Sequence, residues 1–561
     1  MAANVDFARK LVHRYPGSAR LDAFASLGRT DKSHAERDFH RWLGTAKELG
    51  VSPYNLKVML KTRCRLRPVE CKIPVIPIHL LLRACYNAGP NQWAKTALGN
   101  YGPTGLRDYW AKAQDLDWAR AHPGVQRLKA EGRLDKTAPL LFHQDGVETF
   151  RTVEANVFSL QSALSYGNTI DTKLLIGFVW EACMPTKALR QAVNEEFCDY
   201  VDYCAKACEE GVGPLRGFYG EENPPCAGEV LFGDYRAVYA GWKGDMKARK
   251  KEHAFTRAWD CTWVCSDCAA CQPYSGGIPE LTYTRVHPNA LWKRTRISHE
   301  AYMLTDGRSP WARVRGFHLK TVYRDVDHIM FLGFCRDVAG SMLYEFAQAV
   351  LSLGFCLLNL DDALKWLYIS YVEWCKERRV TYTPQEFSLQ MLGKTKQNEY
   401  PVLSSQVKAA HCKVLMYFIA YMSMVLDSGT QHDRVRTVCA CALADCFNCL
   451  DQSGMWLSDA MATWCANSGE LFLMAYVHMA AAALSAGVTL WKVRPKMHDF
   501  QEQLERLKYD KYNLLYHQCL NDEHMLGIFK RITRGCHIKS ANYRLAHRYL
   551  GELMRLIQAQ R

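Results

Sequence analysis

Long uncharged runs are almost missing from this chain of 561 residues. The exception is Leu471 to Trp491, where 21 residues pass without Asp, Glu, Lys or Arg, long enough to span a bilayer. That run is Ala-rich, carries His478 and Ser485, and stands alone, so a core helix explains it as well, and a membrane is not the expected partner. The opening stretch MAANVDFARKLVHRYPGSAR lacks an apolar h-region, so a secretory leader is not expected. No P-loop, nicotinamide fingerprint or serine-hydrolase elbow occurs, which sets aside three common enzyme chemistries. No solenoid-type repeat occurs either.

Acidic residues are also in deficit, with 57 Asp and Glu against 71 Lys and Arg, a net charge of +14. Such an excess attracts polyanions, nucleic acid above all. The deficit is steepest from Ile528 to Arg561, where Glu552 is the one acid against eight bases: Lys530, Arg531, Arg534, Lys539, Arg544, Arg548, Arg555 and Arg561. What the chain has in plenty is cysteine, 23 in all. Many lie inside apolar helical runs such as VCACALADCFNCL (438–450), where a thiol acts as a small hydrophobe. Reduced cysteines point to a reducing compartment, nuclear or otherwise intracellular.

The length predicts two to four structural units. Residues 1–135 read as an N-terminal helical domain, with apolar spacings of three and four in HAERDFHRWLGTAKELG. Lys and Arg at 57, 61, 63, 65 and 67 make DNA contact there an expectation. From 136 to 335 the pattern turns to strands. APLLFHQDG, ETFRTVEANVFSL and TKLLIGFVWEAC form the antiparallel start of a mixed sheet, 187–211 is helical, and 319–334 is a further strand. A cysteine-bearing insert occupies about 241–273. Residues 336–490 are a mainly helical insertion, with helices at about 338–375, 403–427, 431–451 and 458–487. Residues 491–561 form a helical end. The fold class expected is mixed α/β with a large helical part.

Three acidic positions stand where an ordered element ends. Asp145 closes the apolar run LLFHQD. Asp325 closes LKTVYRD and has His328 three residues on, with Asp327 as the competing acid. Glu523 opens NDEHMLGIFKRI, where Glu523, Gly527 and Lys530 share a helix face and Asp522 is the alternative. Lys530, Arg531 and Arg534 follow as candidate DNA-phosphate contacts. Hard carboxylate oxygens of this kind hold Mg²⁺ or Mn²⁺. In the insert, Cys265-x-x-Cys268 has zinc-knuckle spacing. His253 and Cys261 are the preferred remaining ligands for a structural Zn²⁺, with Cys271 as a bystander. Six basic residues between Lys243 and Arg257 give that insert the composition of a phosphate-binding surface.

Four segments in order, HQDG (143–146), DVDH with FLG behind it (325–333), PKMH (495–498) and DEHMLGIFK (522–530), resemble the DDE transposases of the CACTA-like group, which includes Plavaka-type elements. The resemblance implies an RNase H-like core split by the cysteine-bearing and helical inserts. It also implies a catalytic triad of Asp145, Asp325 and Glu523 with His328 beside the second, holding two Mg²⁺ or Mn²⁺ ions. Its implied activity is cleavage and transfer of strands at double-stranded transposon ends, with a homodimer as a further expectation. The chain departs from the family at Glu502, where a second His often follows the Pro-x-x-His element. A transposon-derived protein that binds DNA but has lost cleavage is the alternative reading.

Overall fold

The computed structural model describes residues 50–60, 69–149, 153–184, 186–274, 276–305, 307–354, 358–534, 536 and 541–559. The helical stretch expected at 34–50 and the basic positions 61–67 thus fall almost wholly outside the described residues. The chain forms two compact units, one of Met1–Trp242, Pro310–Thr321 and Asn521–Arg561, the other of Lys243–Ser309 and Val322–Leu520.

The first unit is built on the apolar strand runs. β1 (Tyr54–Leu60) and β2 (Val69–Val75) pair antiparallel, and β2 meets β5 at Val75 opposite Gly177. β3 (Thr137–Glu148), β4 (Glu154–Ser162) and β5 (Leu174–Trp180) form the antiparallel run that the sequence predicts. The strand order is β1-β2-β5-β4-β3-β6-β7, with β6 (Arg236–Gly244) at the end of this unit's stretch of chain and β7 (Val322–Arg324) belonging to the second unit. Residues 1–135 are therefore not a purely helical domain, since they contribute β1 and β2 to the sheet. α1 (Ile78–Asn87) and α2 (Gly102–Ala113) are the longest helices among the described residues of that region, with shorter ones at Pro90–Trp93, Ala94–Leu98, Asp117–Ala121 and Pro123–Ala130.

Side chains of β3 alternate between two environments, as strand geometry requires. Phe142 packs on Trp311 with ring centroids 5.4 Å apart. Gln144, on the same side, receives the Trp311 indole N–H at 3.3 Å and donates to Asn194 at 3.2 Å. His143 and Asp145 belong to the opposite face. α3 (Lys187–Glu210) covers the Phe142 side. It starts where Thr186 Oγ1 accepts the Leu189 N–H and stops at Gly211, whose φ of +71° suits the left-handed helix terminus.

In the second unit the strand expected at 319–334 is only three residues long. Asp325 ends it, because its Oδ1 accepts the Asp327 N–H at 3.0 Å and its carbonyl accepts the Ile329 N–H at 3.2 Å. That local turn competes with continued pairing. The chain then winds through a wide helical turn, Asp327–Phe334, into a helix. β3 and β7 are also not adjacent as an RNase H-type reading expected, since β6 stands between them in the strand order.

The helical insertion comprises α5 (Cys335–Ser352), α6 (Leu360–Glu377), α7 (Ala409–Val425), α8 (Gln431–Gln452) and α9 (Asp459–Ser485). Ahead of it in the chain, α4 (Met246–Glu252) lies in the cysteine-bearing insert, and α10 (Pro495–Asp510) follows the block. The apolar core of this unit runs from Phe334 through Phe472 to Phe500, and reduced cysteines such as Cys439 and Cys446 fill it. Among the described residues no helix is long and apolar enough to cross a membrane. Gly340 on α5 lets the chain at Pro401 approach closely, because a Cβ there would stand 2.3 Å from the Pro401 carbonyl oxygen. Gly340→Ala is expected to cost about 1–3 kcal/mol by overpacking, read as a lower urea midpoint of the helical circular-dichroism signal. An unchanged midpoint would show that this contact is slack.

Candidate functional site

In the first unit, α11 (Leu520–Arg534, of which all but Leu520 belongs here) and α12 (Ala541–Ala559) close the fold. Tyr549 of α12 accepts the Leu175 N–H at 3.1 Å, and Phe529 of α11 packs on Phe178 of β5 at 5.2 Å. The first turn of α11 meets the Asp145 face of β3 through buried polar groups. Asp522 is fully buried, bonds to the ammonium of buried Lys173, and lies 3.7 Å from His143 Nδ1. His143 and Asp145 are two residues apart on the same face, about 6.6 Å along the strand. Asp145 is half-buried, and its Oδ1 accepts the Gly146 N–H at 2.7 Å.

This arrangement separates the two acids of the α11 motif. Asp522 is committed to Lys173, and breaking such a buried pair is costly. Glu523 is exposed, as are Gly527, Arg531 and Arg534, spaced four, four and three residues apart along one face, with Lys530 half-buried beside them. Gly527 has open space where a Cβ would stand, so packing does not require a glycine in this helix.

Asp325 lies in the second unit and is 1% exposed. Its Oδ1 accepts the N–H groups of Asp327 and Cys519 at 3.0 and 2.9 Å, while Oδ2 bonds to His328 Nδ1 at 2.5 Å. The pair orients His328, which is 27% exposed in its side chain. Lys496 at the start of α10 donates to the His328 carbonyl at 2.7 Å, so the Asp-x-x-His and Pro-x-x-His segments touch. Asp327 is also buried, and burial together with the Asp325 charge pushes its carboxyl up to about 6.

The second unit also gathers a buried donor cluster. One ligand atom each from Cys265, Cys268, His498 and Glu502 lies within 4.8 Å of all the others. His498 and Glu502 are four residues apart on α10, so they share a face, and the loop carrying Cys265 and Cys268 meets them. Cys268 Sγ stands 3.3 Å and Glu502 Oε1 3.7 Å from His498 Nε2. Bonds of 2.0–2.3 Å in a tetrahedron give donor separations of about 3.3–3.8 Å, so the donors stand close to ligating positions. Glu502 Oε1 is buried without a hydrogen-bond partner, while Oε2 accepts from Arg296 at 3.1 Å. His498 Nδ1 is 3.1 Å from Gln501 Oε1, a contact that orients the ring with Nε2 toward Cys268. The Asp267 N–H donates to Cys265 Sγ at 3.3 Å. Burial raises the Cys265 thiol, but the Cys268 hydrogen bond and the His498 charge outweigh it and hold it well below its usual value. These four groups could hold a metal ion, and two thiolates, an imidazole and a carboxylate are a donor set that Zn²⁺ accepts.

Two of the ligands expected from sequence are elsewhere. His253 ends α4, where its Nδ1 meets Ser309 Oγ at 2.7 Å and its ring stacks on Phe255. Cys261 is half-buried beside Asp260, 3.7 Å from Oδ1. Cys271 also stands apart and donates to the Ile278 carbonyl at 3.3 Å. Helix α4 carries His253 away from the knuckle despite its nearness in sequence, and α10 supplies the missing pair. The phosphate-binding surface expected between Lys243 and Arg257 is reduced as well. Lys243 is buried on the Gln518 carbonyl, Arg249 is buried near Asp499, and Lys250 pairs with Asp260.

Metal removal separates the observed ligand set from the expected one. Cys265→Ser and His498→Ala are expected to lose the bound zinc of purified protein, whereas His253→Ala and Cys261→Ser retain it. Zinc retained after His498→Ala, or lost after Cys261→Ser, would contradict the geometry. No protein-family model matches the chain, and no curated protein sequence matches it either.

Proposed function

We propose that the chain is a transposase-like enzyme that cleaves and transfers DNA strands, with Asp145, Asp325 and Glu523 as its metal-binding carboxylates. The observation that carries this reading lies in the first unit. The buried His143–Asp522–Lys173 contact packs the start of α11 against the Asp145 face of β3, so two of the three acids sit on elements in contact. Asp145 is half-buried and Glu523 is exposed. Asp145 stands on an interior strand, with β4 and β6 on its two sides.

A pair of Mg²⁺ or Mn²⁺ ions at these carboxylates would supply an activated attacking oxygen and charge stabilisation of the leaving one. In this reading His328, hydrogen-bonded to Asp325, serves beside that carboxylate. On α11 the exposed face that begins with Glu523 continues to Arg531 and Arg534, with Lys530 at its edge, where a DNA phosphate backbone would run. In this reading the substrate is double-stranded DNA at transposon ends, and the compartment is nuclear or otherwise intracellular. Zn²⁺ at Cys265, Cys268, His498 and Glu502 is structural in this reading. A second reading, DNA binding without cleavage, is favoured by Asp325, whose two oxygens are already hydrogen-bonded.

Asp145→Asn keeps side-chain size and removes charge, so it is expected to abolish Mg²⁺- or Mn²⁺-dependent cleavage while DNA binding persists. A variant that still cleaves would remove Asp145 from the site, and a wild type that binds but never cleaves would establish the second reading. Gly527→Ala should raise stability by roughly 0.5–1 kcal/mol, since glycine is a poor helix residue and the space is open. If DNA passes over this face, the same variant should weaken DNA binding. Stabilisation with unchanged binding would place the DNA elsewhere.

A further inference from the structure

The uncharged run at 471–491 is explained neither by the core nor by the proposed chemistry. Most of it belongs to α9, and one side of that helix packs inward through residues such as Phe472, Leu473 and Tyr476. The other side is exposed along Trp464, Asn467, Leu471, Met474, His478 and Ala481, with Trp464 at 60%, Leu471 at 44% and Met474 at 36%. The spacings of three, four, three, four and three residues are those of a coiled-coil seam. Solvent faces of helices normally carry charge. Within α9 beyond Asp459 the only Asp, Glu, Lys or Arg is Glu470, and it is turned inward to Lys293 and Lys508.

The seam is self-complementary when reversed about its centre, between Phe472 and Leu473. Reversal sets Trp464 against Ala481, Asn467 against His478, and Leu471 against Met474, so bulk meets a small residue, polar meets polar, and apolar meets apolar. A parallel pairing would instead set Trp464 on Trp464 and Ala481 on Ala481, crowding one end and leaving a gap at the other. Charge on the neighbouring helix agrees. Cys446 Sγ lies 3.5 Å from Cys465 Sγ, and Cys439 Sγ lies 3.9 Å from the Phe472 carbonyl, which fixes α8 antiparallel to α9. Exposed Asp445 is thereby level with Ala466, and exposed Arg434 with Val477. Reversal brings Asp445 of one copy to within about two residues, ~3 Å along the axis, of Arg434 of the other.

We propose that this seam pairs two copies of the chain, α9 against α9, antiparallel about a two-fold axis at Phe472–Leu473. A two-fold contact of this kind is isologous, each copy offering the same patch. The inference does not depend on the DNA-cleavage reading, and it stands if the chain proves inactive.

Sedimentation of the full-length protein at micromolar concentration tests it. The wild type should run at twice 64.1 kDa. Leu471→Lys, or independently Met474→Glu, should shift it to a monomer with unchanged far-ultraviolet circular dichroism, because both positions are exposed in the single chain. Combining Leu471→Lys with Met474→Glu should restore the dimer, since the antiparallel register sets each new Lys against a Glu of the other copy. Leu484→Lys, off the seam, should leave the dimer intact. A monomeric wild type, or a dimer that survives both single variants, would overturn the interface. Failure of the double variant to re-form the dimer would overturn its antiparallel register.

Discussion

The buried guanidinium of Arg324, with that of Arg249 near the same Asp499, organises the part of the second unit from which Asp325 projects. Arg324 is 2% exposed, and a guanidinium cannot shed its charge to escape burial. Its neutralisation must come from the surrounding chain. Asp267 Oδ2 and Asp499 Oδ1 supply it, each at 2.7 Å, and Cys265 Sγ lies 3.6 Å away. Burial alone would lower the guanidinium and raise the carboxyls. The charges prevail: Arg324 is held well above its usual value and Asp267 below its own. Burying several ions is expensive unless every one is paired, and losing one partner costs about 3–5 kcal/mol. Three segments distant in sequence, β7, the knuckle loop and α10, are thereby required to meet at one point.

The metal-ligand cluster is built on the same point. Cys265 belongs to both, and Asp499 follows the ligand His498 directly on α10. Two thiolates and a carboxylate around a divalent ion leave a net negative charge, which Arg324 near Cys265 and Arg296 on Glu502 offset. The Gln501 and Arg296 contacts hold the imidazole and carboxylate in orientation, as outer partners of metal ligands commonly do. Glu502 has a physical setting, since Arg296 donates to its carboxylate. Arg324 is next to Asp325 in sequence, and Gln503 of α10 donates to the Arg324 carbonyl at 3.0 Å. An ion at the cluster would thus stiffen the backbone from which Asp325 and His328 are presented.

How much of this was legible in the sequence depends on the range of the interactions involved. The strands around LLFHQDG, ANVFSL and LLIGFVW were legible because continuous apolar runs ended by turn residues are local signals. The helices of the insertion at 403–427, 431–451 and 458–487 were legible from their periodicity, whereas the single stretch expected at 338–375 is two helices, α5 and α6. β6 was not legible, although AVYAGW is apolar throughout, because periodicity does not distinguish so short a buried strand from a buried helix segment. The length of β7 was overestimated because the Asp325 turn depends on one side-chain hydrogen bond. His253 and Cys261 were chosen for nearness to the knuckle, whereas the structure draws His498 and Glu502 from more than 200 residues away. Those two positions had already been singled out within the PKMH segment and its sequel, so the signal was present but unconnected to the cysteines. Asp522 and Glu523 could not be separated by spacing, because only burial distinguishes an acid bound to Lys173 from one facing solvent.

The claim on which this account turns is that Cys265, Cys268, His498 and Glu502 form one metal centre beside Arg324. X-ray absorption at the zinc edge of the purified full-length protein tests it directly. Two sulfur ligands at about 2.3 Å and two nitrogen or oxygen ligands at about 2.0–2.2 Å are expected. A shell of three or four sulfurs, which would bring in Cys261 or Cys271, would contradict the account, as would purified protein that binds no zinc.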